Sequence, residues 1–297
     1  MLLACGLAAA AAPLPMEQIA PGVFMYRGVH EETARSNEGA IANVGFVIGK
    51  RCVAVIDTGG SLENGQRLRL AIRHATRVPI CYVINTHVHP DHVFGNAAFL
   101  PDAPEFIGHA RLAAAMQARS VYYRKALARQ LGEAAAAAAT LIPPTKPVAS
   151  EMEIDLGERQ LQLRAWPTAH TDNDLTVLDR QSGTLWLGDL LFEQRVPSLD
   201  GSLKGWLAAM ETLRAVPASR VVPGHGAPGT DWPAALHGQE RYLQALLRDV
   251  RQAIRDKETL AQAVETAARE ERPRWLLFDD NHPRNVTSAY TELEWEN

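Results

Sequence analysis

The chain has little that would hold a polyanion. Thirty Lys and Arg stand against 34 Asp and Glu, a net charge of −4. Binding to nucleic acid without sequence preference rests on clustered Lys and Arg that neutralise phosphates. With no such stripe, a nucleic-acid partner is not expected. Aromatics are few, at 6% of residues. After the first dozen residues no apolar run approaches the ~20 residues that cross a bilayer, so no transmembrane segment is expected in the mature body. G-x-S-x-G, a P-loop and paired zinc-ribbon cysteines are all missing, which removes the serine-triad and nucleotide-driven classes.

Only three cysteines occur. Cys5 falls in an N-terminal run of apolar and small residues, 2–12, that reads as the later part of a secretory signal without its basic first region. The expectation is a leader over residues 1–14, starting inside a longer signal peptide. Cleavage between Ala8 and Pro15 would release the body into the periplasm. Leu2-Leu3-Ala4-Cys5 also resembles a lipoprotein box. Cys52 and Cys81 each lie five residues ahead of a motif residue, Asp57 and Thr86. On parallel neighbouring strands their thiols would be near enough to pair, but the favoured reading is two small buried hydrophobes.

What the chain does have is a concentration of imidazole. Thr86-His87-Val88-His89-Pro90-Asp91-His92 follows the apolar run 80–84, which reads as a buried strand. A continuing strand would send His87, His89 and Asp91 to one face and His92 to the other, whereas a turn can aim all four into one cavity. Such nitrogen and carboxylate donors suit zinc, with iron or manganese as alternatives. The same residue types recur downstream at strand ends: His170 after segment 161–166, Asp189 after the run 184–187, and His225 in Pro223-Gly224-His225-Gly226.

Strands are predicted at 23–27, 40–47, 52–56, 80–85, 106–107, 151–156, 160–166, 175–178, 184–187 and 220–222. Helices are predicted at 61–75, 92–99, 110–136 and 203–215, and two more within 234–270 break near 256–258. Segment 141–147 is broken by prolines, and 272–297 reads as a tail. The polar segment 28–39 is a loop, with His30 at the entrance of any site.

His87-x-His89-x-Asp91-His92, His170, Asp189 and the Pro-Gly-His225-Gly turn together resemble the metallo-β-lactamase superfamily, and so does Val55-Ile56-Asp57-Thr58-Gly59 upstream. The resemblance covers about 21–233. It implies an α/β fold, an αββα sandwich of two mixed sheets with outer helices over 15–233, carrying a C-terminal helical extension over 234–297. It also implies two zinc ions per chain: His87, His89 and His170 on the first, Asp91, His92 and His225 on the second, and Asp189 bridging both. An aspartate at the bridge resembles the thioesterase-like members and departs from lactamases that use cysteine. The histidine pair argues against the diiron flavoprotein branch. Segments 192–206 and 281–296 resemble the exported quinoprotein relay system zinc metallohydrolases, which implies a periplasmic quinoprotein dehydrogenase system as a partner.

Two such metals would lower the pKa of a bound water toward about 7 and polarise a substrate oxygen. The expected function is a binuclear zinc hydrolase acting on a small-molecule ester, thioester, lactone or amide, with Asp91 catalytic through orienting the hydroxide or a leaving-group proton. Three alternatives stay open: a β-lactamase-like amide hydrolase, a mononuclear iron persulfide dioxygenase, and an accessory protein of a quinoprotein relay. Asp57 reads either as holding a ligand histidine or as stabilising its turn. Asp172 and Asp174 are expected to fix the turn of His170. His109 reads as a structural turn residue, and His74, His237 and His282 as solvated. Arg195 could meet a substrate carboxylate, although a surface ion pair is the favoured reading.

Overall fold

A computed structural model describes residues 12–296. Residues 1–11, most of the expected leader and with it Cys5, lie outside the described residues. From Leu14, which packs beside Leu68 and Phe46, the chain belongs to the core.

The first half builds a sheet of seven strands in chain order: β1 (Glu17–Ala20), β2 (Val23–Tyr26), β3 (Val44–Ile48), β4 (Val53–Ile56), β5 (Ile80–Ile84), β6 (Glu105–His109) and β7 (Lys146–Val148). Neighbours are antiparallel as far as β4 and parallel beyond it. Its crossovers carry α1 (Leu62–Ala75), the single turn α2 (Pro90–Val93), the 3-10 segment Asn96–Asp102, α3 (Leu112–Leu131) and α4 (Glu133–Ala138).

The second sheet runs β12-β11-β10-β9-β8, from β8 (Glu151–Asp155), β9 (Gln160–Ala165), β10 (Leu175–Asp179), β11 (Thr184–Phe192) and β12 (Arg220–His225). Its pairs are antiparallel except β11 with β12. Outside it lie α5 (Leu203–Leu213), α6 (Leu236–Arg255), α7 (Leu260–Thr266), the 3-10 segment Arg269–Arg274 and α8 (Phe278–Leu293).

Burial follows from this layering. Strand β4 is Val-Ala-Val-Ile with all four residues buried, because α1 covers one face and the opposite sheet the other. Strand β9 alternates instead, with Leu161 and Leu163 inward and Gln160 and Gln162 outward. The middle layer joins Met25, Ile56, Ile84 and Ile107 to Leu163, Val177, Trp186 and Val222. A third layer sets Trp206, Met210, Tyr242, Leu246 and Val286 on the outer face of β11 and β12. The expected αββα order holds, with a helical C-terminal extension.

Several expectations need correction. Cys52 and Cys81 form a disulfide, with Cα atoms 5.5 Å apart. The parallel register of β4 on β5 brings together thiols that the sequence left as separate hydrophobes. The tail 272–297 is largely helix α8, and His282, expected in solvent, is fully buried there. The long helix 110–136 is divided at Gly132. Strand β11 runs on past Leu187 to Phe192, and β12 past Val222 to His225. Strands β1 and β7 carry no apolar alternation and were not foreseen.

Candidate metal centre

The seven residues expected to bind metal converge beyond the end of β5, in the second half of β11 and at the end of β12. Strand β5 stops at Ile84 and the chain turns, so that His87, His89, Asp91 and His92 leave by way of α2 rather than along a ladder. His170 sits in the loop before β10. Asp189 follows Gly188, which has φ of 52° and marks an irregularity in the pairing of β11 with β12. A side chain on Gly188 would meet Thr86 at 2.7 Å. Opposite, a Cβ on Gly224 would lie 1.8 Å from Asp189 Oδ1, so only glycine lets the His225 turn approach that carboxylate.

Two groups of donors result. In the first, His87 Nε2 and His170 Nε2 stand 3.1 and 3.0 Å from His89 Nδ1, and 3.7 and 3.4 Å from Asp189 Oδ2. In the second, Asp91 Oδ2 is 3.7 Å from His92 Nε2 and 3.3 Å from His225 Nε2. Asp189 reaches this group too, with Oδ1 3.2 Å from His92 Nε2 and Oδ2 3.5 Å from His225 Nε2. Donors about 2.1 Å from a tetrahedral ion lie roughly 3.4 Å from one another, which is the spacing seen here.

The outward ring nitrogens decide what the inward ones are. His170 Nδ1 is 2.6 Å from the Ser198 carbonyl, and His225 Nδ1 is 2.9 Å from that of Ile41. A carbonyl only accepts, so both Nδ1 atoms carry the proton. His92 Nδ1 donates to Asp57 at 2.8 Å, and His89 Nε2 donates to Asp200 at 3.1 Å. The Thr86 hydroxyl gives its proton to Asp57 at 2.7 Å and accepts from His87 Nδ1 at 3.0 Å. In their neutral form the five imidazoles therefore aim bare lone pairs into one space. Bare lone pairs 3.0–3.1 Å apart repel unless a cation lies between them. Two buried atoms there, His92 Nε2 and Asp189 Oδ1, have no hydrogen-bond partner among the described residues. The residues fit a divalent metal.

Electrostatics agree. Burial pulls His170 down to about 3 and takes His87 well below the usual imidazole range. His92 and His225 are also penalised by burial, but the carboxylates around them, Asp189 foremost, raise both. Burial would lift Asp189 and Asp91, and the neighbouring imidazoles more than reverse it, holding both below the usual carboxylate range. This end of the sandwich is a field that stabilises positive charge.

Asp57 does hold one of the expected donor histidines, His92, and it also fixes Thr86 through the backbone N–H at 2.8 Å. Asp174 fixes the His170 turn by accepting from the N–H and hydroxyl of Thr171, and burial pushes it up to about 8. Asp172 bonds to Asn173. His109 accepts from the Arg111 N–H as a turn residue, while His74 and His237 are exposed. His30 meets Gln194 at 3.1 Å across the entrance loops.

Arg195 does form an ion pair, with Glu32 at 2.9 Å, but at 6% exposure it is no surface residue, and it lines the cleft. That cleft, about 180 Å³, opens onto His89, Asp91, Asp189 and His225. Asp200 and Asn43 escaped the sequence reading. Asn43 donates to the carbonyls of Pro223 and Gly226 on either side of the His225 turn. Partners more than a hundred residues apart leave no local pattern to read.

The pattern that defines the metallo-beta-lactamase superfamily matches residues 38–225. The linear primary-alkylsulfatase of Pseudomonas sp. (strain ATCC 19151) is 25% identical over 235 residues, which is 67% of this chain and 43% of that protein. The chain thus matches less than half the length of that relative. Among solved structures, a metallo-beta-lactamase from Pontibacter korlensis superposes with a TM-score of 0.61 at 22% identity, covering 77% of this chain and 98% of that one. TMB-1 superposes at 0.60 with 20% identity, covering 78% and 97%. At these identities the two structures speak for the fold. The family match spans all seven of these residues, and the chain belongs to the metallo-beta-lactamase superfamily.

Proposed function

We propose that the chain is a hydrolase with two divalent ions, zinc in the native protein, acting on an ester, thioester, lactone or amide carbonyl. The observation that carries this reading is the set of five imidazoles, each with its outer nitrogen bonded to an acceptor, four with the inner nitrogen facing Asp189 and His89 with its own facing His87 and His170. His87, His89 and His170 would hold one ion, Asp91, His92 and His225 the other, with Asp189 between them. Ions bound there would supply an acidified water and a polarised carbonyl.

The protein's own part is orientation and proton handling. Asp91 is the carboxylate of the set that lines the cleft with a partly exposed side chain, beside His225. Asp91 would orient the attacking water and relay its proton to the leaving group. Phe192 and Ile41 form apolar wall, Tyr122 and Tyr123 flank the mouth, and a cleft of about 180 Å³ admits a small substrate or the reacting end of a larger one.

A second reading rests on the likeness to the linear primary-alkylsulfatase: the bond cleaved is a sulfate ester. A panel of p-nitrophenyl esters, thioesters, lactones, a β-lactam and a primary alkyl sulfate, tested on protein holding a measured amount of metal, separates the readings. Elemental analysis should give two zinc equivalents per chain. One equivalent of iron would sink the hydrolase reading in favour of oxygenation. His89→Ala should keep one ion and Asp189→Ala should hold neither tightly, with hydrolysis lost in both.

We infer export to the periplasm from the composition of residues 2–12 and from the Cys52–Cys81 disulfide, a bond that persists in oxidising compartments. An uncleaved Met1 terminus in the cytosolic fraction would refute it. The quinoprotein relay as partner rests on the resemblance of 192–206 and 281–296. Co-purification of a quinoprotein dehydrogenase with the chain from its native host is the test.

A further inference from the structure

The run Asn281-His282-Pro283-Arg284-Asn285 has no part in the donor set, yet helix α8 carries it to the rim of the centre. Asn285 is 1% exposed. Its Oδ1 accepts from the Leu199 N–H at 2.9 Å, while its Nδ2 donates to the Pro197 carbonyl at 2.6 Å and the Tyr242 hydroxyl at 2.8 Å. One planar amide therefore grips the backbone on both sides of Ser198. Only a head group with both a donor and an acceptor can do this, and a carboxylate or an apolar residue cannot. Tyr242 in turn meets His282 Nδ1 at 2.9 Å, and His282 Nε2 meets the Ala267 carbonyl at 2.9 Å, so the amide itself is anchored.

The gripped segment bears on two histidines. The Ser198 carbonyl takes the proton of His170 Nδ1, and Asp200, two residues on, takes that of His89 Nε2. The Asp200 N–H returns to the His170 carbonyl at 3.1 Å. Segment 197–200 thus fixes tautomer and tilt for both rings, and it is itself fixed by α8. Seven residues further along the same face, Glu292 accepts from Ser202 Oγ at 2.7 Å and the Leu203 N–H at 2.6 Å, holding the start of α5 without touching 197–200.

We propose that Asn285 is a positioning residue for His89 and His170, so that the C-terminal helix, outside the matched span 38–225, presets the first metal site. The inference rests on reading those two histidines as metal ligands. Groups that orient metal-binding histidines are worth about 10- to 100-fold in affinity. In the full chain, Asn285→Ala and Asn285→Asp should weaken one of two zinc ions by that factor in chelator competition and leave the other unchanged. The cobalt(II) spectrum of the affected site should shift with it. Glu292→Gln should lower thermal stability and leave both affinities alone.

Wild-type protein supplies a measurement that does not depend on the variants folding. Because Asn285 holds the Leu199 amide, that amide should exchange slowly with deuterium whether or not the protein has been stripped with chelator. Rapid exchange in stripped protein, slowed only by zinc, would mean that metal orders the segment and would overturn the inference. So would Asn285 variants that melt earlier but bind both ions like wild type. A wild-type chain that binds no metal at these histidines would instead defeat the underlying reading.

Discussion

Asp57 shows how much of the centre is decided by residues that would touch no metal. Its backbone is left-handed, with φ of 54°, and its carboxylate receives the Thr86 N–H, the Thr86 hydroxyl and His92 Nδ1. Through Thr86 it also sets the tautomer of His87. An amide at this position is nearly isosteric, but its nitrogen end cannot accept, so either the Thr86 N–H at Oδ1 or the contacts at Oδ2 must lose their acceptor. Asp57→Asn is expected to weaken metal binding about 10- to 100-fold, measured by competition with a chromophoric chelator, with little change in melting temperature. Unchanged affinity would mean that His92 and His87 keep their tautomers without it. Asp57 was legible because it sits in a strand-end motif beside Gly59. Asp200 and Asn43 were not, because their partners are distant in sequence and neither forms part of a compact motif.

At the scale of the element, helix α8 explains why its own sequence reads as a tail. Its buried positions are Phe278, His282, Asn285, Val286, Ala289 and Leu293, a helical stripe in which two places are polar. Those two are buried because they bond to Tyr242 and to segment 197–200, so the network that gives the helix its role also erases its hydrophobic period. Elements with an unbroken pattern, such as α1 with its Ser61 cap and the α6–α7 pair with its break near 256–258, lie close to where the sequence puts them.

His282 also makes a pH prediction. Burial, reinforced by Arg269 and opposed by Ala267 O, Asp279 and Glu270, lowers it to about 4. The unfolded chain takes up this proton near 6.5 and the folded chain only near 4, so this contribution to stability is complete above 6.5 and falls between 6.5 and 4. The difference amounts to about 2 kcal/mol between pH 7 and pH 5. His282→Gln, neutral throughout, should lose less stability than wild type over that interval in urea titrations. Equal losses would show that His282 titrates normally in the fold.

In the whole molecule, function and reinforcement occupy opposite ends of the central strands. The donors gather beyond the end of β5, in the second half of β11 and at the end of β12, whereas the disulfide joins the residue before β4 to the second residue of β5. Thr86 lies five residues beyond Cys81, roughly 16 Å of extended chain. The bond closes a loop with a sequence separation of 29 that holds all of α1. Such a loop is expected to contribute about 3–4 kcal/mol by restricting the unfolded chain, on the order of 10 °C in melting temperature. Of the groups that hold the donor cluster, Asn43, Asp200 and the 197–200 segment lie outside that loop, and Asp57, within it, is tied at the far end of β4 by its N–H to the Ile84 carbonyl at 2.9 Å. The double variant Cys52→Ala/Cys81→Ala is therefore expected to melt earlier while retaining its full metal content and hydrolytic rate at 25 °C. A thiol count on unreduced protein checks the premise, since two free thiols among residues 12–296 would mean that the strands stand without the bond. Loss of metal in the double variant would show instead that strain passes along β4 and β5 to the site, and that the two ends of the sandwich are not independent.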